Sequence, residues 1–299
     1  MDNVSQLPTL NPTHEPTPGR SERVEALTQV CTEELLDAFG LGGLERGRRP
    51  LELLSRVPAR HLARQVATYD EIVGESGLAA GGAWAVERMA RRLEVEGRDN
   101  VPPEGPLLLV ANHPGLADAI ALFATVPRRD LRVVAAERAF LDALPNTSRH
   151  LIPVSEASPR RSGAVRTATR HLREGGAILT FPGGEIEPDP AVLPGAVEAL
   201  ERWSESLDLF ARLVPDLAVV PAVVSGVLSP TALRNPLTFV RRQPRDRQWL
   251  AASIQMMTPA LRNVATRIAF GRPARIEDGG VRETVLDEMR RLIERYEAR

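Results

Sequence analysis

Pro106-Leu107-Leu108-Leu109-Val110-Ala111 is an unbroken apolar run that stops abruptly at Asn112-His113-Pro114-Gly115. A strand with no polar face has none to show to water, so it belongs inside a sheet covered on both sides. Two runs of the same kind, 177–181 and 219–224, follow it, and between them lie stretches with helical or strand patterns: helices over 118–126 and 163–174, a strand over 131–136. Leu93-Glu94-Val95-Glu96 alternates as a further strand. A late strand is predicted over 268–276 around Gly271, and a closing helix over 281–299 carries Val285, Met289, Leu292 and Ile293 on one stripe. Strands alternating with helices predict an α/β fold, a mixed and largely parallel β-sheet flanked by helices.

Ahead of this pattern the texture is helical. Val24, Leu27, Val30, Cys31, Leu35 and Phe39 recur at helical spacing up to a stop at Gly40, and further helices are predicted over 50–72 and 78–92. Residues 21–92 therefore read as an N-terminal helical annex whose apolar faces pack on the neighbouring domain, and 93–299 as the α/β domain. Residues 1–20, rich in Pro, Thr, Asn and Ser, read as a disordered leader.

Composition removes several chemistries. All 38 basic residues are arginine, so a phosphate-loop lysine, a Schiff-base lysine and a Ser-Lys hydrolase are excluded. The single cysteine, Cys31, excludes an intramolecular disulfide and any CxxC metal site; within an apolar-periodic segment it reads as a small buried hydrophobe in a reducing cytoplasm. A net charge of −1 and 4% aromatics argue against nucleic acid as a partner. Neither a signal peptide nor a run of about 18 apolar residues is present, so lipid is expected to be met from the surface. His14, His61, His150 and His171 have no metal-ligand spacing and read as surface or structural; no metal is expected.

Chemistry is expected where the first apolar strand ends. His113 sits on a Pro-Gly turn and Asp118 at the start of the next helix. A carboxylate at a helix N-terminus stays ionised in the dipole and, bonded to one ring nitrogen, fixes the tautomer so that the other nitrogen accepts a proton. This is the base-and-orienter half of a hydrolase triad without its serine, suited to a hydroxyl that belongs to the substrate. A histidine that merely bonds its turn is the plainer alternative. Phe181-Pro182-Gly183-Gly184-Glu185-Ile186-Glu187 follows the second apolar strand. Its two glycines expose main-chain N–H groups to a ligand, or simply make a turn. Val219-Val220-Pro221 bears a proline and reads as an edge strand or a pocket wall. Arg241, Arg242, Arg245 and Arg247 precede Trp249, Leu250, Ile254, Met256 and Met257, a pattern that suits either an anionic membrane surface or an ordinary surface helix.

Taken together and in this order, Asn112-His113 through Asp118, Phe181 through Glu185, and Val220-Pro221 resemble the blocks of the glycerolipid (lysophosphatidate-type) acyltransferase family, over about residues 90–280. The resemblance implies transfer of an acyl chain from acyl-CoA or acyl-carrier protein to a hydroxyl of a lipid acceptor, with no metal and no bound cofactor. It makes His113 the general base and Asp118 its partner, with Gly183 and Gly184 near the oxyanion. It places Asn112, Gly115, Glu137, Arg138, Phe181, Pro182, Glu185 and Pro221 around the substrates. The family's Glu is replaced by Gly183, and its Thr-Arg pair by Glu185-Ile186. The arginine expected near Leu151-Ile152-Pro153-Val154 is missing, so Arg160 and Arg161 are candidate phosphate ligands in its place. The expected setting is cytoplasmic, peripheral on the inner face of the cell membrane. A catalytically degenerate lipid-binding domain and a thioesterase are the alternatives.

Overall fold

In the computed structural model, residues 19–44, 47–154, 158–275 and 280–297 are described, excepting the side chains of 158–162. The predicted leader, apart from its last two residues, and the ends of the late strand and closing helix, Ile276 and Arg299, lie outside them. The strands are β1 (Arg92–Glu96), β2 (Leu107–Ala111), β3 (Leu131–Ala136), β4 (Leu151–Val154), β5 (Ala177–Thr180), β6 (Ala218–Ser225) and β7 (Ala265–Phe270). They form one sheet in the order β1-β7-β6-β2-β5-β3-β4. β6, β2, β5, β3 and β4 are mutually parallel, whereas β7 runs antiparallel to β6 and carries β1 parallel to itself.

The helices are α1 (Arg20–Ala38), α2 (Arg48–Ser76), α3 (Leu78–Met89), α4 (Asp118–Thr125), α5 (Ala139–Asp142), α6 (Pro145–Ser148), α7 (Ser158–Arg173), α8 (Ala196–Ala199), α9 (Ser206–Leu213), α10 (Pro230–Leu233), α11 (Pro244–Met257) and α12 (Val281–Glu297). Because strand side chains alternate, the apolar runs serve two cores at once. Leu108, Val110, Ile178, Val219 and Val223 pack on one face with residues of α7, α9 and α12, including Leu172, Phe210, Met289 and Ile293. Leu107, Leu109, Ala111, Leu179, Val220 and Val224 pack on the other with Tyr69, Val73, Ala85 and Met89 of α2 and α3 and Leu122 of α4. The late helices of the predicted annex thus enter the core of the sheet itself. Gly82 allows this closeness, since a Cβ there would lie 2.7 Å from the main-chain nitrogen of Ala124 in α4. Asp70 of α2 also ties the annex down, accepting from Thr147 N at 2.8 Å and Thr147 Oγ1 at 2.7 Å.

Several expectations are corrected. Pro221 lies in an interior strand, not at an edge. Its carbonyl accepts from Gly271 N at 2.8 Å, and a strand residue points N–H and C=O to the same side, so its missing donor faces β7. There the pairing passes from Ala222 with Phe270 to Val219 with Ala274, one residue out of step, and this bulge absorbs the absent N–H. The late strand spans Ala265–Phe270, not 268–276, because Gly271 opens that bulge. The third helix stops at Met89, since Arg92 already pairs with Ala265. The short strand β4 carries Pro153 at the sheet's other margin, where a missing donor costs nothing.

Candidate active site

The carboxyl ends of β6, β2 and β5 lie side by side because these strands are parallel neighbours, so the segments that follow them converge. Asn112 extends the sheet by one rung with its side chain: Nδ2 donates to Val224 O at 2.9 Å and Oδ1 accepts from Val224 N at 2.7 Å. The chain then leaves the sheet plane with His113 at its exit.

His113 Nδ1 and Asp118 Oδ2 are 2.7 Å apart. The same oxygen accepts from Gly115 N at 3.1 Å, while Oδ1 accepts from Ala119 N at 2.6 Å in the first turn of α4. Asp118 is wholly buried, whereas the His113 side chain keeps 29% of its exposure. Among the described residues no hydrogen bond reaches Nε2. The ring of Phe181 lies 4.7 Å from the imidazole, tilted by 32°. Burial alone would hold the His113 titration down, but the charge and hydrogen bond of Asp118, helped by Glu187 and opposed by Arg138, move it above the ordinary histidine value. The geometry can therefore present a fixed, basic Nε2 to a solvent-side hydroxyl.

The other residues singled out from sequence divide into groups. Gly183 lies against the Glu187 carboxylate, but Gly184 N–H is already given to Phe181 O at 3.0 Å, which corrects its expected oxyanion role; Gly183 N–H has no bond among the described residues. Pro182 O accepts from Ser204 N. Glu185 is exposed and paired with Arg245 at 2.8 Å. Glu137 and Arg138 are exposed just before α5, where the Arg138 guanidinium lies 6.0 Å from the Trp249 ring. The side chains of Arg160 and Arg161 lie outside the described residues.

Three residues escaped the sequence reading. Glu187 grips the main chain of His113. Gln248 Nε2 donates to Pro114 O at 2.9 Å and Glu187 O at 2.7 Å. Asp189, fully buried, accepts from the N–H groups of Ala191, Gly226, Val227 and Leu228 at 2.8–3.0 Å. Two carboxylates in Glu187-Pro188-Asp189, in the loop that follows β5, were the available signal for the first and the last of them. The segment that suited either a membrane surface or an ordinary surface helix is also corrected: Leu250 and Ile254 of α11 are buried against Ala38, with Phe39 and Trp249 packed beside them.

Residues 92–225 match the family model described as Acyltransferase. The chain is similar to the 1-acyl-sn-glycerophosphate (LPA) acyltransferase PlsC from Thermotoga maritima, at 16% identity over 94% of this chain and 98% of that one, with a TM-score of 0.46. No curated protein matches the chain.

Proposed function

We propose that this enzyme moves a fatty acyl chain from acyl-CoA or acyl-carrier protein to a hydroxyl of a lysolipid or glycerol-phosphate-like acceptor, a reading supported by the match of residues 92–225 to the Acyltransferase family model. His113 is the general base and Asp118 orients it. The observation that carries this reading is the Nδ1–Asp118 bond at 2.7 Å, with Nε2 left unbonded among the described residues at the end of β2. Nε2 takes the acceptor proton, the oxygen attacks the thioester carbonyl, and collapse of the tetrahedral intermediate breaks the C–S bond. The imidazolium returns its proton to the departing thiolate. Gly183 N–H is the candidate donor to the oxyanion. Arg138, whose charge reaches His113, suits an anionic headgroup at the mouth of the site; Arg160 and Arg161 stand on sequence alone. No metal or bound cofactor enters these steps.

The test is to supply full-length protein with acyl-CoA or acyl-carrier-protein thioesters and a panel of lysolipids. Thiol release that depends on the acceptor, with the matching ester found by mass, is expected. Equal release without acceptor would make the protein a thioesterase, and binding with no product under any pairing would make it a degenerate binding domain.

For a lipid-facing surface, no described helix is long and apolar enough to cross a membrane. One group of apolar side chains turned outward lies in the 3₁₀ turn before α11: Leu237, Phe239 and Val240, exposed by 50%, 63% and 58%. Arg247 stacks over Phe239 at 4.3 Å and Arg242 follows in sequence. Leu53, Leu54 and Val57 form a second exposed group on α2. The loop after α1 joins the two regions, since Arg241 packs on Gly40 and Arg48 donates to Gly42 O. Apolar side chains ringed by arginine fit an anionic bilayer surface, where each nearby arginine adds about 1 kcal/mol of attraction. The double variant F239E/V240E is expected to weaken partition onto anionic vesicles about tenfold or more, given a gain of roughly 25 cal/mol per Å² of apolar area buried. Undiminished sedimentation with those vesicles would remove this surface from the proposal.

A further inference from the structure

One residue holds the main chain of His113 from both sides. Glu187 N–H donates to His113 O at 2.8 Å, and Glu187 Oε2 accepts from His113 N at 2.9 Å. The second carboxylate oxygen accepts from Trp203 Nε1 at 2.6 Å, and the Glu187 carbonyl accepts from Gln248, which also holds Pro114 O. The turn that carries the imidazole is thus fixed at both of its residues. Each Glu187 oxygen receives an N–H group, and these contacts offer no acceptor for a carboxyl proton, so the arrangement suits the anion. Burial pushes this carboxyl up, against the pull of Trp203 and His113.

Gly183 stands where the family resemblance has a glutamate. A Cβ at position 183 would collide with Glu187 Oε1. The space vacated by the missing side chain is the space the Glu187 carboxylate fills.

We propose that Glu187 is a positioning residue for His113: it fixes the backbone that presents the imidazole and places a second buried negative charge beside it, and Gly183 is small in order to admit it. This rests on His113 acting as the base. The charged groups that face His113 are Asp118 from α4, Glu187 from the segment after β5, and Arg138 ahead of α5, the last opposing the first two. Facing Glu187 are His113 and Arg202. Removing the Glu187 anion makes the imidazolium less favoured, so His113 titrates at lower pH and the acid limb of kcat/KM moves down with it. Loosening the turn also misplaces Nε2, a fault that costs up to about 10²-fold in rate for a displacement near 1 Å.

The experiment uses full-length protein labelled with ¹³C-histidine, the His113 signal being identified by its loss in H113A. Wild type, E187Q and G183A are titrated by NMR and assayed for kcat/KM across pH. A glutamine must turn its NH₂ toward one of two N–H donors, so E187Q/W203F, which removes the indole donor, is included to keep a folded protein without the charge. Support is a His113 titration lowered in E187Q and in the double variant, with kcat/KM down about tenfold to a hundredfold and the acid limb moved the same way. G183A is expected to follow by displacing the carboxylate. An unchanged His113 titration in a folded charge-free variant overturns the proposal, as does unchanged kcat/KM. If wild type transfers no acyl group to any acceptor, the acyl-transfer reading falls, while the NMR titration still decides the role of Glu187.

Discussion

His113→Ala is expected to lower kcat/KM for acyl transfer by about 10²–10⁴-fold, the usual worth of a positioned general base, with the melting temperature nearly unchanged. The fold is spared because the imidazole makes a single side-chain hydrogen bond, to Asp118, and remains partly exposed. Asp118→Asn is expected to lose a comparable factor by another route. Its amide would donate to Nδ1, forcing the ring proton onto Nε2 and blocking the base. The pH profile separates the two. A base works in its neutral form, so activity is present above the His113 titration and lost as pH falls through it. Since Asp118 and Glu187 together outweigh burial and Arg138, that acid limb should lie above the ordinary histidine value of about 6.5. In D118N the residual activity should have its limb lower, because an anion is gone. Undiminished turnover in H113A, or a wild-type limb at or below the ordinary value, would refute the assignment.

The legible parts of this protein are those where one local pattern has one physical outlet. An unbroken apolar run such as 107–111 must be buried on both faces, and β2 is. His113 and Asp118 declare themselves because the turn and the helix start are both written between them. Other features depend on partners remote in sequence. Glu187 meets His113 across 74 residues and Gln248 meets Pro114 across 134. No local period encodes either contact. α11 misled for a related reason: Arg-rich flanks and a tryptophan look like a surface helix, yet 250–255 is buried throughout. Small residues, Ala251, Ala252 and Ser253, let other elements close over sides that composition alone would leave to solvent. Pro221 shows the limit of residue-type rules, since a proline sits in an interior strand once the neighbouring strand bulges opposite it.

Asp189→Ala is expected to destabilise the protein by about 3–4 kcal/mol, more than most single changes, because it leaves buried main-chain donors without an acceptor. The carboxylate gathers the N–H groups of Ala191, Gly226, Val227 and Leu228, three of them in the turn by which the chain leaves β6. Gly226 has a φ of 67°, so this turn is already one that few residues adopt, and the carboxylate holds it. Asp189→Asn should fall between the two, since one oxygen remains while the NH₂ meets donors. For a chain of this size the alanine variant should melt lower by about 6–16 °C. Hydrogen exchange should show Gly226, Val227 and Leu228 losing protection first. Val227 and Leu228 line one small cavity together with Gly115, Leu116 and Ala117. The contrast with Glu187 is informative: Asp189 does not figure among the charges that move the His113 titration. D189A should therefore weaken the fold and leave that titration in place, whereas E187Q/W203F should shift the titration in a protein that stays folded. A D189A protein that melts with wild type and keeps those three amides protected would show that the turn stands without its carboxylate.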